Sequence, residues 1–131
     1  MNTLIVEDDI SSRILLQTIL KQHGPCDVAT NGKEAVEAVR RALESGESYD
    51  LICLDIMMPE MDGQVALKTI RGMEADRGIA STDGAKIVMT TALSDMKSVS
   101  GAFISLCDAY LTKPIRKEKL LEELRKLGLI E

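Results

Sequence analysis

YDLICLDIMMPEMDG, the stretch from Tyr49 to Gly63, contains an unbroken apolar run that ends abruptly at an aspartate. The run, residues 51–54, is typical of a strand that is covered on both faces of a parallel sheet. Asp55 then lies just past the carboxyl end of this strand, where open α/β sheets bind ligands. Pro59 disfavours helix in the residue before it, so we expect a turn before a helix that begins near Gly63. On this stretch alone, Asp55 is either a ligand-binding carboxylate or an ordinary loop residue.

The composition indicates a globular protein. The 131 residues are enough for one domain, residues 1–131, with 45% hydrophobic and 28% charged residues. A formal net charge of −5 provides no basic surface for nucleic acid. No apolar run approaches the length of a membrane span and no signal peptide is evident, so we expect a cytoplasmic protein that does not enter a membrane. The three cysteines form no CxxC pair, which predicts reduced thiols rather than a zinc site.

Apolar periodicity predicts five strands that alternate with five helices. The predicted strands are Thr3–Val6, Cys26–Thr30, Leu51–Leu54, Lys86–Thr90 and Asp108–Leu111, and the predicted helices begin near Ile10, Gly32, Gly63, Met96 and Lys117. Asn31, with Glu34 three residues later, has the form of a helix N-cap with a reciprocal carboxylate. The alternation predicts a parallel sheet with helices on both faces, joined by right-handed crossovers.

Polar residues follow four of the predicted strands. Glu7 and Asp8, Asp55, Thr91 and Lys113 stand at the ends of strands one, three, four and five. In a parallel sheet these ends share one edge, so the side chains should meet there. Crowded carboxylates repel one another unless a cation neutralises them, and Mg²⁺ prefers such oxygen ligands. An aspartate is also a competent nucleophile towards phosphorus, and a metal, an ammonium and a hydroxyl supply the charge stabilisation for phosphoryl transfer.

Four motifs in order carry a family resemblance: LIVEDD followed by Arg13, then LDIMMPEMDG, then TTA, then DAYLTKP. Over essentially its whole length the chain resembles the receiver domains of bacterial two-component response regulators, the CheY-like family. The resemblance implies a doubly wound, flavodoxin-like α/β fold with strand order 2-1-3-4-5. It also implies that a histidine kinase or histidine phosphotransfer protein donates a phosphoryl group to the domain, which then switches a protein-interaction surface.

The resemblance assigns a metal site and an acceptor. Asp55 would be the phosphoacceptor, and the spacing back from Arg13 places the acidic pair at Glu7 and Asp8. Asp8 and Asp55 would bind Mg²⁺ or Mn²⁺ directly, together with the backbone carbonyl of Met57. Glu7 would act through a metal-bound water.

The resemblance also assigns a switch. Thr91 would move its hydroxyl to the phosphoryl group, assisted by the Ala92 amide, and Lys113 would pair with the phosphoryl oxygens. The Lys113–Pro114 peptide bond is expected to be cis. Tyr110 matches an aromatic residue that changes rotamer on activation. The output partner would bind the face formed by the fourth predicted helix, the fifth strand and the last helix.

Several of these residues have a simpler interpretation. Asp9 is better explained as a helix cap than as a metal ligand. Thr90 is a rival to Thr91, although the alanine that follows favours Thr91. Tyr110 alone could be a half-exposed strand aromatic.

The function has alternatives as well. The chain is expected to be either a stand-alone regulator or a receiver excised from a hybrid kinase or a longer regulator, and a monomer or weak dimer. A second hypothesis is a receiver that serves as an interaction module and does not depend on phosphorylation. An aspartyl phosphohydrolase would usually have a second aspartate two residues after the nucleophile, where this chain has Met57. We therefore expect a phosphoacceptor switch rather than an enzyme with turnover.

Overall fold

The structure, a computed structural model, describes residues 1–57, 63–80, 83–92 and 106–131. In chain order the strands are β1 Thr3–Val6, β2 Cys26–Ala29, β3 Leu51–Asp55, β4 Lys86–Ala92 and β5 Ala109–Lys113. They form a single parallel sheet in the order β2-β1-β3-β4-β5. The predicted fold class and strand order are therefore confirmed.

Four helices lie within the described residues. They are α1 Ile10–Leu20, which continues into a 3₁₀ turn at Lys21–His23, α2 Gly32–Ser45, α3 Gly63–Asp76 and α4 Lys117–Lys126. The helix predicted to begin near Met96 and to end at about Leu106 lies outside the described residues, except for Leu106 itself.

The position of β3 in the middle of the sheet explains why residues 51–54 are all apolar. Its five residues are all buried. On one face Ile52 and Leu54 pack with α2 and α3, and on the other face Leu51 and Cys53 pack with α1 and α4. Because successive side chains of a strand point to opposite faces, only a strand with helices on both sides needs apolar residues at every position.

The predicted cap of α2 is present with one change. The Asn31 side chain accepts a hydrogen bond from the Glu34 backbone N–H at 2.8 Å, as expected for an N-cap. The Glu34 carboxylate, however, accepts from the backbone N–H and the hydroxyl of Thr30, each at 2.7 Å. The reciprocal bond thus reaches the residue before the cap, because Thr30 offers two donors to one carboxylate oxygen.

Gly63 begins α3 directly beneath the Asp55 loop. Its backbone N–H donates to the Ile56 carbonyl oxygen at 2.7 Å. A Cβ at this position would overlap the Asp55 carbonyl oxygen and the Ile56 Cα. Glycine therefore allows the helix to start against the backbone of the phosphoacceptor candidate.

We predict opposite effects for two glycine substitutions in α3. Gly63→Ala should lower the free energy of unfolding by about 1–3 kcal/mol, since the added methyl group overlaps backbone that cannot move aside easily. Gly72→Ala adds a methyl group with nothing within 4 Å. It should raise the free energy of unfolding by roughly 0.5–1 kcal/mol, because alanine favours helix. Urea unfolding measures both, and equal effects would contradict the close approach at Gly63.

A buried ion cluster anchors the other end of the sheet. Arg71 on α3 is 8% exposed and donates to the Glu74 carboxylate at 2.8 Å and to the Asp108 carboxylate at 2.9 Å. Its remaining bonds reach the carbonyl oxygens of Ala85 at 2.8 Å and Leu106 at 3.0 Å. The guanidinium thereby joins α3 to the segments that enter β4 and β5.

Removal of this guanidinium should unfold the protein more easily. Arg71→Met leaves Glu74 and Asp108 without their cation in a poorly solvated place, which typically costs about 3–5 kcal/mol. Arg40→Met is the matched control, because Arg40 pairs with Glu37 and Glu44 on the exposed side of α2 and such pairs contribute little. Denaturant unfolding should show a large loss for Arg71→Met and little change for Arg40→Met. A small loss for Arg71→Met would mean that the cluster does not stabilise the fold.

Candidate functional site

Strand alternation brings three charged side chains to the same face of the sheet. Glu7 follows β1, Asp55 ends β3 and Lys113 ends β5. Each lies two residues beyond a side chain in the core between the sheet and α1 and α4: Ile5, Cys53 and Leu111. Because alternate residues of a strand share a face, the three charges meet at the carboxyl edge above that core.

Lys113 is ion-paired with both carboxylates. Its Nζ lies 3.1 Å and 3.0 Å from the two oxygens of Glu7, and 3.4 Å from Oδ2 of Asp55. Glu7 is fully buried and Asp55 is 4% exposed. The other Asp55 oxygen, Oδ1, accepts the Met57 backbone N–H at 3.2 Å. The acceptor candidate is therefore held at both oxygens.

The site shifts the proton affinity of its members. Burial raises the pKa of Asp55 to about 7, and the hydrogen bond and charge of Glu7 add to that rise, while Lys113 and the Met57 amide oppose it. Burial lowers the pKa of Lys113, but the carboxylates of Glu7 and Asp55 outweigh burial and leave it raised. Lys113 is thus charged at neutral pH, and Asp55 is half ionised near pH 7.

The carboxylates fit a hard divalent cation. Oxygens of Glu7, Asp8 and Asp55 all lie within 4.8 Å of one another, with Asp8 exposed and the other two buried. Within the described residues this group of three carboxylates is ion-paired with one ammonium, that of Lys113, so it holds more negative than positive charge, which an oxygen-seeking ion such as Mg²⁺ or Mn²⁺ would balance. The Met57 backbone lies beside Asp55 through its N–H, and the role of its carbonyl as a ligand stays a prediction.

Asp9 stands outside this cluster. Its side chain accepts the Ser12 backbone N–H at 2.9 Å and caps α1. Hydrogen bonds from the backbone and side chain of Ser12 lower the pKa of Asp9. Its own N–H donates to the Glu7 carboxylate at 3.1 Å. The interpretation of Asp9 as a cap is confirmed.

The two adjacent threonines of β4 face opposite sides of the sheet. Thr91 is fully buried, and its hydroxyl donates to the Ala92 carbonyl oxygen at 3.2 Å rather than to the charged cluster. Its predicted movement toward a phosphoryl group, and the contribution of the Ala92 amide, stay predictions. Thr90, paired with Asp55 across β3 and β4, shares the Asp55 face instead.

Two further predictions concern β5. Tyr110 is 47% exposed, as a half-exposed strand aromatic should be, and its rotamer change stays a prediction. The Lys113–Pro114 peptide bond is cis, as predicted. β5 ends at Lys113, the residue whose ammonium enters the site.

Sequence reasoning missed two contributors to the site. The close approach of Gly63 to Asp55 depends on where α3 begins, which the DG pair signals only as a turn. The sequence presents Thr90 only as a rival to Thr91, and the pairing of Thr90 with Asp55 depends on the register of β3 and β4. An alternating pattern over β3 and β4 together would have placed Thr90 on the Asp55 face.

Comparisons with known proteins establish the family. The model of the response regulator receiver domain family matches residues 3–125. The chain belongs to this family. The receiver domain is 32% identical over 123 residues to the chemotaxis protein CheY of Bacillus subtilis. The aligned region covers 94% of this chain and 93% of that protein.

Other relatives are much longer, and one solved structure is a complex. The receiver domain is 36% identical over 124 residues to the sensor protein GacS of Pseudomonas syringae. The aligned region covers 94% of this chain but 13% of GacS. It superposes with a TM-score of 0.79 and 33% identity on a chain from the co-crystal structure of the Saccharomyces cerevisiae histidine phosphotransfer protein Ypd1 and the receiver domain of Ssk1. That match covers 98% of this chain and 88% of the other. Within the described residues, no helix is long and apolar enough to cross a membrane.

The affinity of the receiver domain for Mg²⁺ should fall as the pH falls through 7. A proton and a metal ion compete for the Asp55 carboxylate, whose pKa is raised to about 7 by burial and by Glu7. The ionised fraction of such a group drops roughly tenfold between pH 8 and pH 6, and the affinity should drop by about the same factor. Calorimetric titration measures it. Asp55→Asn should lose most of this pH dependence, and an affinity that is constant from pH 6 to pH 8 in the wild type would contradict the argument.

Proposed function

We propose that this receiver domain is a phosphorylation-dependent signalling switch that accepts a phosphoryl group on Asp55. The observation that carries the proposal is the buried Asp55 carboxylate with the Lys113 ammonium 3.4 Å from one of its oxygens. A nucleophile, a cation and a cluster of metal-binding oxygens lie at one point, and phosphoryl transfer requires mainly alignment and charge stabilisation.

The chemistry needs no proton from the protein. An oxygen of Asp55 forms a bond to phosphorus while the bond from phosphorus to the donor's leaving group breaks, and the leaving group departs with the electron pair. The donor is a phosphohistidine, or an acyl phosphate such as acetyl phosphate. Asp8 and Asp55 would hold a magnesium ion, with Glu7 acting through a metal-bound water, and the ion would supply charge neutralisation. Lys113 then pairs with the phosphoryl oxygens, and Thr91 moves its hydroxyl to them.

The phosphodonor is inferred to be a histidine kinase or a histidine phosphotransfer protein. Support comes from the relatives, which include the sensor protein GacS, and from the similarity to a complex that contains the phosphotransfer protein Ypd1. Cys26, Cys53 and Cys107 form no disulfide within the described residues, which fits the reducing cytoplasm in which we place the domain. We further propose that the domain does not turn over a substrate as an enzyme.

The output surface is proposed to include β5 and α4. Tyr110 lies exposed on β5, and a cavity of about 700 Å³ is lined by residues of β5, of α4 and of the adjoining segments, among them Tyr110, Arg116 and Lys119. A dianion at Asp55 would draw Lys113 and so act on the strand that carries Tyr110. The same switch would operate in a stand-alone regulator and in a hybrid kinase, and only the partner would differ. We also propose that the domain is a monomer or a weak dimer.

Incubation of the protein with acetyl phosphate and Mg²⁺ tests this proposal. Intact mass spectrometry should show one phosphoryl adduct on the wild type and none on Asp55→Asn, because the amide is not a nucleophile of this kind. EDTA should prevent the adduct, since the uncompensated carboxylates repel the incoming phosphoryl group.

The matched control is Asp50→Asn, which changes an exposed aspartate at the opposite end of β3 and should leave the adduct in place. An adduct that persists in Asp55→Asn would refute the assignment of the acceptor. Steady release of phosphate from a phosphomonoester would favour a phosphohydrolase instead.

A further inference from the structure

Two threonines of the sheet bury hydroxyl groups that have no hydrogen-bond partner. They are Thr3 on β1 and Thr90 on β4, each 1% exposed, and neither Oγ1 has a partner within the described residues. A buried hydroxyl without a partner destabilises a fold, whereas a valine of the same shape would not. Such a group is a candidate for a contact that forms in another state of the protein.

The two threonines lie at opposite ends of the same face. Thr90 pairs with Asp55 in the register of β3 and β4, and Thr3 pairs with Leu51 in the register of β1 and β3. Both threonines are on the face covered by α1 and α4, since they alternate with residues of the other core. Thr90 is therefore the neighbour of the phosphoacceptor, and Thr3 is the same residue type in the same environment away from the site.

The distance between neighbouring strands lets the Thr90 hydroxyl reach the Asp55 carboxyl group. Strands of a sheet lie roughly 5 Å apart, so side chains paired on one face are in contact range. A threonine hydroxyl changes its direction by rotation about one bond between staggered wells. Rotation of the Thr90 side chain about this bond would turn its Oγ1 toward the carboxyl oxygens.

In the resting structure both Asp55 oxygens already have donors. Oδ1 accepts the Met57 N–H and Oδ2 faces Lys113. Under the proposed function, Lys113 turns to the phosphoryl oxygens, and the Asp55 carboxyl group then loses a donor. Among the described residues, the only side chain that pairs with Asp55 across β4 and has a spare hydroxyl is Thr90.

We propose that Thr90 is a positioning residue for phosphoryl transfer, whose hydroxyl donates to the Asp55 carboxyl group while Lys113 is engaged with the phosphoryl group. This inference rests on the proposed function. The bond adds to the hold that a metal ion would have on one carboxyl oxygen, and it leaves the other oxygen to form the new bond to phosphorus as the donor's bond breaks. The role differs from that of Thr91, which faces the other side of the sheet and is predicted to contact the phosphoryl group itself.

The test compares the rate of Asp55 phosphorylation with the stability of the metal-free protein. With acetyl phosphate and saturating Mg²⁺, Thr90→Val should react about tenfold more slowly than the wild type, the usual effect of losing one hydrogen bond to a charged group. Thr90→Ser keeps the hydroxyl and should react within about twofold of the wild type. Thermal melts without metal should show Thr90→Val to be more stable than the wild type, because it buries no unpaired hydroxyl.

Thr3→Val is the matched control. It should gain stability in the same way and react at the wild-type rate, because its hydroxyl lies next to Leu51 rather than Asp55. If Thr90→Val does not fold, Thr90→Ala replaces it as the variant without a hydroxyl in the comparison with Thr90→Ser.

Three results would overturn the inference: Thr90→Val at the wild-type rate, Thr90→Ser as slow as Thr90→Val, or a Thr90→Val protein that melts below the wild type. In each of these cases the wild type still forms the adduct and the proposed function stands. A wild type that forms no adduct at Asp55 overturns the proposed function, and this inference fails with it.

Discussion

The ammonium of Lys113, placed between two buried carboxylates, is the interaction on which the site depends. Its Nζ lies within 3.4 Å of oxygens from Glu7, which follows β1, and from Asp55, which ends β3. Burying two carboxylates so close together is unfavourable without a cation, so the lysine stabilises this edge of the sheet. The ammonium offsets only part of the charge, since Asp8 lies in the same cluster. The remaining negative charge makes the site receptive to a divalent ion.

The buried charges at the two ends of the sheet are neutralised by different kinds of cation. At the far end, the Arg71 guanidinium satisfies two carboxylates and two carbonyl oxygens at once, and this cluster has the character of a fixed structural joint. At the carboxyl edge, the Lys113 ammonium pairs with Glu7 and Asp55, and the cluster still holds more negative than positive charge. The flexible lysine side chain suits a site in which the ion-pair partners change. The planar guanidinium of arginine, with five donors in fixed directions, suits a site in which the partners stay the same.

Much of the fold and of the site was readable from the sequence. The apolar run before Asp55 predicted a strand covered on both faces, and β3 is that strand. The rule that parallel strands end at one edge predicted the meeting of Glu7, Asp55 and Lys113, which are more than a hundred residues apart at the extremes. These predictions succeeded because apolar periodicity, and the alternation of strands and helices that indicates a parallel sheet, can both be read along the sequence.

What the sequence did not reveal depends on register and on three-dimensional approach. Arg71, Glu74 and Asp108 are ordinary helix and loop charges until the fold buries them together. The Thr30 contact of Glu34 required the conformation before the helix cap. The adjacency of Thr90 and Asp55 required the pairing of β3 with β4, since a shift of one residue would have turned Thr90 to the other face.

The most direct measurement of the central claim is the Mg²⁺ affinity of Lys113→Met beside that of the wild type and of Lys113→Arg, by calorimetry at pH 8. If the lysine is a cation that partly neutralises the cluster, its removal should tighten Mg²⁺ binding by at least about tenfold, because a positive charge within a few ångströms of the ion is gone. Lys113→Arg keeps the charge and should bind like the wild type. A folded Lys113→Met protein that binds Mg²⁺ no more tightly than the wild type would contradict the account.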